Sequence, residues 1–216
     1  MNARKAGLAI AACLALLSGC GGGESGESVS LDAGQARAVL PDAASVPGWQ
    51  NTVEPVVFSL KKEKAMGFGR CFKEGAQDSC AQVRFIGASG LYRQKKPSVD
   101  FIVQTYRDEA TAKSAYGTVW KIWKQQILQP KATSAGQLGD QRSAVVGLGP
   151  SAAEGSKTLM ILVRVGSVIT LSMATSAPQV DMTDSFLTQF ADAFAKRAEE
   201  AQAGKTPSAA IKAPTS

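Results

Sequence analysis

Two apolar runs, Thr158 to Val165 and Val168 to Thr175, are separated only by Gly166-Ser167. Glycine leading a two-residue connection signals a type II′ hairpin, because glycine enters the required positive φ without steric cost. The chain is thereby committed to antiparallel pairing, and any fold it adopts must seat this hairpin. Ser98 to Arg107, with Val99, Phe101, Val103 and Thr105 in alternation, predicts another strand. Val53 to Lys62, Ala81 to Arg93 and Gly139 to Leu148 predict three more, with Gly87 and Gly90 marking a bend or bulge in the second.

Helical spacing accounts for most of the remainder. Asp108 is a natural N-cap for a helix running to about Ile127, ahead of Pro130. Ala112, Tyr116, Val119, Trp120, Trp123 and Ile127 fall on one face of it, with Lys113, Lys121, Lys124 and Gln125 on the other. A closing helix from about Asp181 to Ala203 buries Phe186, Leu187, Phe190, Phe194 and Ala198. A short helix is expected over Asp32 to Leu40, with Ser30 as candidate cap and Pro41 as stop. The expected fold is α+β: an antiparallel sheet of about five to six strands, two main amphipathic helices covering one of its faces, and a short N-terminal helix.

The first nineteen residues read as an export signal rather than as structure. Arg4 and Lys5 precede an apolar run from Ala6 to Leu17, too short for the ~20 residues of a spanning helix. The run ends in Leu17-Ser18-Gly19-Cys20, which resembles the lipobox of bacterial lipoprotein signal peptides. That resemblance implies a diacylglycerol on the Cys20 thiol, cleavage before it, and palmitate-type acylation of the freed amine. Two acyl chains at ~0.8 kcal/mol per buried CH₂ anchor stably, whereas one does not. The implied location is the extracytoplasmic face of the cell membrane, with the membrane as partner through Cys20. Residues 20–30 then form a Gly/Ser-rich tether with a typical reach of roughly 18 Å. Residues 31–203 form a single domain, and 204–216, rich in Ala, Lys, Pro, Ser and Thr, read as a disordered tail.

Cysteine usage agrees with export. Cys13 leaves with the signal and Cys20 is lipidated, so Cys71 and Cys80 remain as a pair expected to form one disulfide. Closing that loop contributes at most roughly 2.7 kcal/mol on the chain-entropy view. The alternative is a redox-active pair, against which the wide spacing argues. Charge excludes little. Removing Arg4 and Lys5 from the 24 Lys and Arg leaves 22 against 18 acids, a net +4. No basic stretch alternates with stacking aromatics, so no nucleic-acid partner is expected. Weak attraction to anionic headgroups is compatible with this excess, but a solvated surface accounts for it better.

Catalytic signatures are lacking. The chain has no histidine, which removes Ser-His and Cys-His activation and the commonest zinc ligand. Gly147-Leu148-Gly149-Pro150-Ser151-Ala152 matches a relaxed dinucleotide pattern, but a new strand follows where a helix is needed. Ser59-Leu60-Lys61-Lys62 matches Ser-x-x-Lys inside a predicted strand, without its companion motifs. Asp100, Glu109 and Asp140 flank the central elements, yet acids favour helix N-termini and Asp100 alternates away from the apolar face. No enzyme activity, cofactor or metal is expected. Tyr116, Trp120 and Trp123 either line a pocket for a small apolar ligand, present a partner-binding patch, or are core; their spacing favours core.

The run Val99-Asp100-Phe101-Ile102-Val103, then Asp108-Glu109-Ala110-Thr111-Ala112 and a Trp-bearing helix, resembles the α+β domain of many actinobacterial lipoproteins. So does Leu162-Val163-Arg164-Val165-Gly166-Ser167-Val168 before a terminal amphipathic helix. The layout is similar to the extracellular sensor domains of mycobacterial serine/threonine kinases and, more remotely, to PsbP-like domains. The resemblance spans roughly residues 53 to 203. It implies helices packed on a sheet and a cleft for a ligand or partner. The expected function is a non-catalytic ligand-binding or sensing module. Alternatives are an accessory protein docking on another envelope protein and, less in keeping with the residues, an enzyme.

Overall fold

The computed structural model describes residues 30–59, 82–149, 156–183 and 185–211. The expected signal peptide and most of the tether, with Cys20, lie outside the described residues, as do Cys71, Cys80 and residues 212–216. In chain order the elements are α1 (Ala33–Val39), β1 (Gln50–Ser59), β2 (Val83–Tyr92), β3 (Ser98–Tyr106), α2 (Glu109–Lys124), β4 (Leu128–Ala132), β5 (Gln141–Leu148), β6 (Lys157–Val165), β7 (Val168–Ser176) and α3 (Thr188–Gln202).

The hairpin that commits the chain forms as expected. Gly166 takes φ 49° while Ser167 does not turn positive, and β6 pairs with β7 from Val165↔Val168 to Lys157↔Ser176. The sheet is antiparallel throughout, in the order β1-β2-β3-β7-β6-β5-β4. It has seven strands rather than five or six. The extra strand is β4, five exposed residues at one edge with Pro130 inside and Gln129 at φ 50°. It shows no alternation because neither of its faces is buried. Proline and irregular pairing at an edge strand also discourage strand addition, and Pro55 and two register shifts in β1 do the same at the other edge.

The topology dictates where the helices go. α2 leaves β3 and delivers the chain to β4 at the far edge, so it must cross β7, β6 and β5. Four strand spacings amount to about 19 Å, and its 16 residues reach about 24 Å at 1.5 Å per residue. Contacts with β3, β7, β6 and β5 trace this path. α3 follows β7 and packs on β6 and β7 from the opposite face, beside α1. The expectation that both main helices share one face is therefore corrected: each covers its own. Strand β6 shows the consequence, with Leu159, Ile161, Val163 and Val165 in the α3 core and Met160 and Leu162 in the α2 core. The apolar run without alternation reflects a strand buried on both sides.

Helix ends follow their chemistry with two exceptions. Asp108 caps α2 by accepting from Thr111 N at 2.8 Å. α1 is capped by Asp32 and Gln35 in a reciprocal box, not by Ser30, which instead donates to the Tyr106 carbonyl at 3.2 Å. α3 begins at Thr188, later than Asp181, and its N-cap Leu187 has no side-chain oxygen to hold the first turn. The register shift of β2 against β3 lies between Val83 and Phe85, but the pairing of Val53 with Gly90 is flanked by both shifts of β1 against β2, the irregularity expected near Gly87 and Gly90. They admit β1: a Cβ at Gly87 would stand 2.8 Å from the Val56 carbonyl, and one at Gly90 2.5 Å from Thr52 Oγ1.

The segment 204–211, whose composition predicts disorder, packs back onto the domain. Ile211 is 7% exposed and joins the α3 core, and its amide donates to the Ser45 carbonyl. Two residues of α3 hold this strap. Arg197 donates to the carbonyls of Val39, Ala38 and Ala209, and Glu200 accepts from the amides of Ser208 and Ala209. Composition does not reveal these contacts because they form only when the strap folds back along α3 and reaches Ser45.

Candidate functional site

Strands β3, β7 and β6 meet at the middle of the sheet, where the β1–β3 meander adjoins the β4–β7 meander. At one end of this seam the β2–β3 turn and the segment after β7 leave the sheet side by side. Between them lies a cleft of about 870 Å³. Tyr92, Lys95, Lys96 and Ser98 line it from the β2–β3 side, Ser156, Thr175 and Ser176 from the sheet, and Gln179 and Asp181 from the segment after β7.

The register explains the hydroxyls. Ser98 pairs with Thr175 and Thr175 with Thr158, and cross-strand partners share a face. Ser156, two residues before Thr158, follows the same alternation. A row of hydroxyls therefore ends the α2 face of the sheet, where apolar residues occupy its middle. Their existing contacts are long: Ser98 to the Thr175 carbonyl, Thr158 to Thr175, and Ser176 to the Lys157 carbonyl are each 3.4 Å. At that limit a hydroxyl gives up little by turning to another partner. Ser156 is 4% exposed, and its Oγ has no hydrogen-bond partner. Burying an unpaired hydroxyl costs about 1–3 kcal/mol. Thr105 Oγ1 is also unpaired, but its strand pairs it with Val168, away from the cleft.

Lys95 carries a second local cost. It sits at φ 59°, in a turn closed by the Lys96 amide on the Arg93 carbonyl. Glycine or asparagine ordinarily takes that position. Lys95→Gly is expected to raise stability by up to about 1 kcal/mol, the relief of the left-handed backbone outweighing glycine's freedom when unfolded. Chemical denaturation checks the sign. Neither Lys95 nor Lys96 has a carboxylate partner among the described residues.

The aromatic residues singled out by helical spacing lie elsewhere. Tyr116 and Trp123 are 7% and 6% exposed, packed in the α2 core, with Trp120 half-buried against its margin. The Tyr116 hydroxyl is 3.1 Å from both the Leu162 carbonyl and Ser143 Oγ. Burial pushes this phenol above its ordinary pKa, against the smaller opposing effect of the Ser143 bond. The large apolar side chains most exposed among the described residues are Val53, Tyr92 and Leu128. Val53 and Leu128 are on opposite edge strands, so the three do not form one patch.

The three candidate carboxylates separate into two settings. Glu109 and Asp140 converge on the buried Arg164, at 3.2 and 3.1 Å, and Asp140 also accepts from the Gly166 amide. Glu109 ties the β6–β7 hairpin to α2 and Asp140 ties it to the start of β5, the one guanidinium serving both. Asp100 projects from the α2 face of β3 and is half-buried, where Gly90 leaves room for it. Desolvation raises its carboxyl above the ordinary pKa. Both states bind the proton below the unfolded pKa of ~3.9, so the penalty is absent there and grows as pH rises through the folded value. Asp100→Asn is expected to be more stable than the parent at pH 7 and equal to it near pH 3, checked by urea midpoints at both. The relaxed dinucleotide motif places Gly147 inside β5, where a Cβ would meet the Leu128 carbonyl at 2.4 Å. Ser59 ends β1, and Lys62 lies outside the described residues. Among the described residues no helix is long and apolar enough to cross a membrane.

No known family model matches the chain, and no curated protein matches it in sequence. Among solved structures, the extracellular domain of PknH from Mycobacterium tuberculosis has a similar fold. The match covers 82% of this chain and 100% of that one, with a TM-score of 0.53 and 11% identity. At that identity the likeness is one of fold.

Proposed function

We propose that this chain is an exported lipoprotein, anchored through Cys20, whose domain is a non-catalytic module binding a small polar ligand in the cleft between the β2–β3 turn and residues 177–181. The observation that carries this reading is Ser156, a residue of the cleft wall whose buried Oγ has no hydrogen-bond partner. A polar group kept buried without a partner is a cost that a ligand's own polar atom removes. The volume is that of an ordinary small-molecule site. The shared fold with an extracellular domain supports a location outside the cytoplasm. A binding role rather than catalysis is favoured because Glu109 and Asp140 are committed to Arg164. The expected apolar ligand at Tyr116, Trp120 and Trp123 is set aside, because two of those rings are packed as core.

Two measurements test the proposal. Cys20→Ser is expected to abolish fatty-acid labelling and release the protein from the membrane fraction; unchanged labelling refutes the anchor. Amide NMR of the full-length protein against a panel of small polar solutes is expected to shift residues 92–98 and 175–181. If every solute leaves these resonances in place, the cleft is not a binding site. A thiol assay without and with reductant is expected to show Cys71 and Cys80 paired.

A further inference from the structure

We infer that the cleft recognises the phosphate group of a phosphorylated polyol. The inference rests on the proposed binding role and adds the ligand's chemistry. Lys95 and Lys96, consecutive in the turn, both line the cleft and have no carboxylate partner among the described residues. An arginine fork is the usual partner of a planar carboxylate, whereas lysine acts as a point charge suited to a phosphate. Among the described residues lining the cleft there is no arginine. A phosphate also needs several donors for its oxygens; Ser98 and Thr175 supply loosely engaged hydroxyls, and the same wall holds the buried, unpaired hydroxyl of Ser156.

The other wall has different chemistry. Asp181 and Gln179 can accept hydrogen bonds from ligand hydroxyls, and a second anionic group placed there would be repelled by Asp181. Tyr92, 44% exposed, adds aromatic surface to the lining for the carbon skeleton. One end of the ligand is thus anionic and the other hydroxylated. Lys95 is held at φ 59°, a conformation whose backbone cost is accounted for by a side chain kept at the cleft. The same chemistry occurs in a free sugar or glycerol phosphate and in a glycerophospholipid headgroup.

The test is calorimetry and amide NMR on the full-length protein with glycerol 3-phosphate, inorganic phosphate, glycerol and glucose. Glycerol 3-phosphate is expected to bind and to shift residues 92–98 and 175–181. Lys95→Ala/Lys96→Ala is expected to weaken that binding about tenfold or more. Lys121→Ala/Lys124→Ala, which removes the same charge from α2, is expected to change it less than about twofold. Ser156→Ala is expected to weaken it severalfold without lowering the unliganded melting temperature, an outcome that a purely structural serine would not give. Sedimentation of the unacylated Cys20→Ser protein with phosphatidylglycerol or phosphatidylcholine vesicles separates the sources. A preference for phosphatidylglycerol that is lost in Lys95→Ala/Lys96→Ala identifies a headgroup, and binding of the soluble phosphate alone identifies a free solute. Shifts in the cleft from glycerol or glucose but not from either phosphate overturn the phosphate inference and leave the binding role standing. Equal losses in the two lysine variants also overturn it. No shift from any probe overturns both.

Discussion

Trp123→Ala is expected to lower the stability of the domain by about 3–5 kcal/mol. That is a large share of the ~5–15 kcal/mol that holds a domain folded. The indole is 6% exposed in a cluster with Val119, Ile127, Val145, Met160 and Leu162, so its removal leaves a cavity that two rigid layers cannot close. For a domain of this size the melting temperature falls by roughly 6–20 °C. Trp120→Ala, at a half-buried ring, is expected to cost less than half as much. The folded Trp123→Ala protein is expected to keep its affinity for a ligand in the cleft, because the ring does not line it. Urea denaturation and ligand titration on the same variant separate the indole's packing role from a binding role.

Arg197→Ala is expected to cost about 2–4 kcal/mol and to free the C-terminal strap. Its guanidinium reaches Val39 O at 3.0 Å and Ala38 O at 2.7 Å, carbonyls that α1 leaves unsatisfied at its end, and Ala209 O at 3.1 Å. One side chain therefore ties together the first helix, the last helix and the strap. Burial lowers its pKa, with Asp42 and Glu200 opposing that effect. Arg197→Lys is expected to recover less than half of the loss, because one ammonium cannot match a planar fork spread over three acceptors. Amide exchange over residues 205–211 reports the release directly, with Ile211 as the most informative probe because its amide is bonded to Ser45.

Much of the architecture is legible in the sequence, and the reasons are local. Gly166-Ser167 specifies its hairpin through glycine alone, and Asp108 caps α2 through the groups next to it in sequence. β4 escaped because an edge strand exposed on both faces has no period to detect. Which face each helix covers depends on strand order, which alternation does not encode. The start of α3 was placed too early because Phe186 and Leu187 are packed against the core from a turn that precedes the helix. The cleft was missed for a different reason. Its residues come from three separate stretches, 92–98, 156 and 175–181, and none forms a motif. A weak signal was present in Arg93-Gln94-Lys95-Lys96, a turn between two strands that contains no glycine or asparagine and so obliges a lysine to take a positive φ.

Strand β3 starts at the cleft and ends beside the first described residue. Ser98 begins it beside the cleft, and Tyr106 finishes it, where its carbonyl receives the hydroxyl of Ser30. Nine residues in extended form separate the two by about 27 Å. With lipid on Cys20, the chain rises from the bilayer into the pole of the domain that holds Ser30, and the opposite pole looks outward. An upright domain then turns its cleft away from its own leaflet, towards solutes arriving from outside. A headgroup of that leaflet is within reach only when the domain lies over on its tether. On the proposed anchoring, the length of one strand is what separates the cleft from the leaflet that holds the lipid.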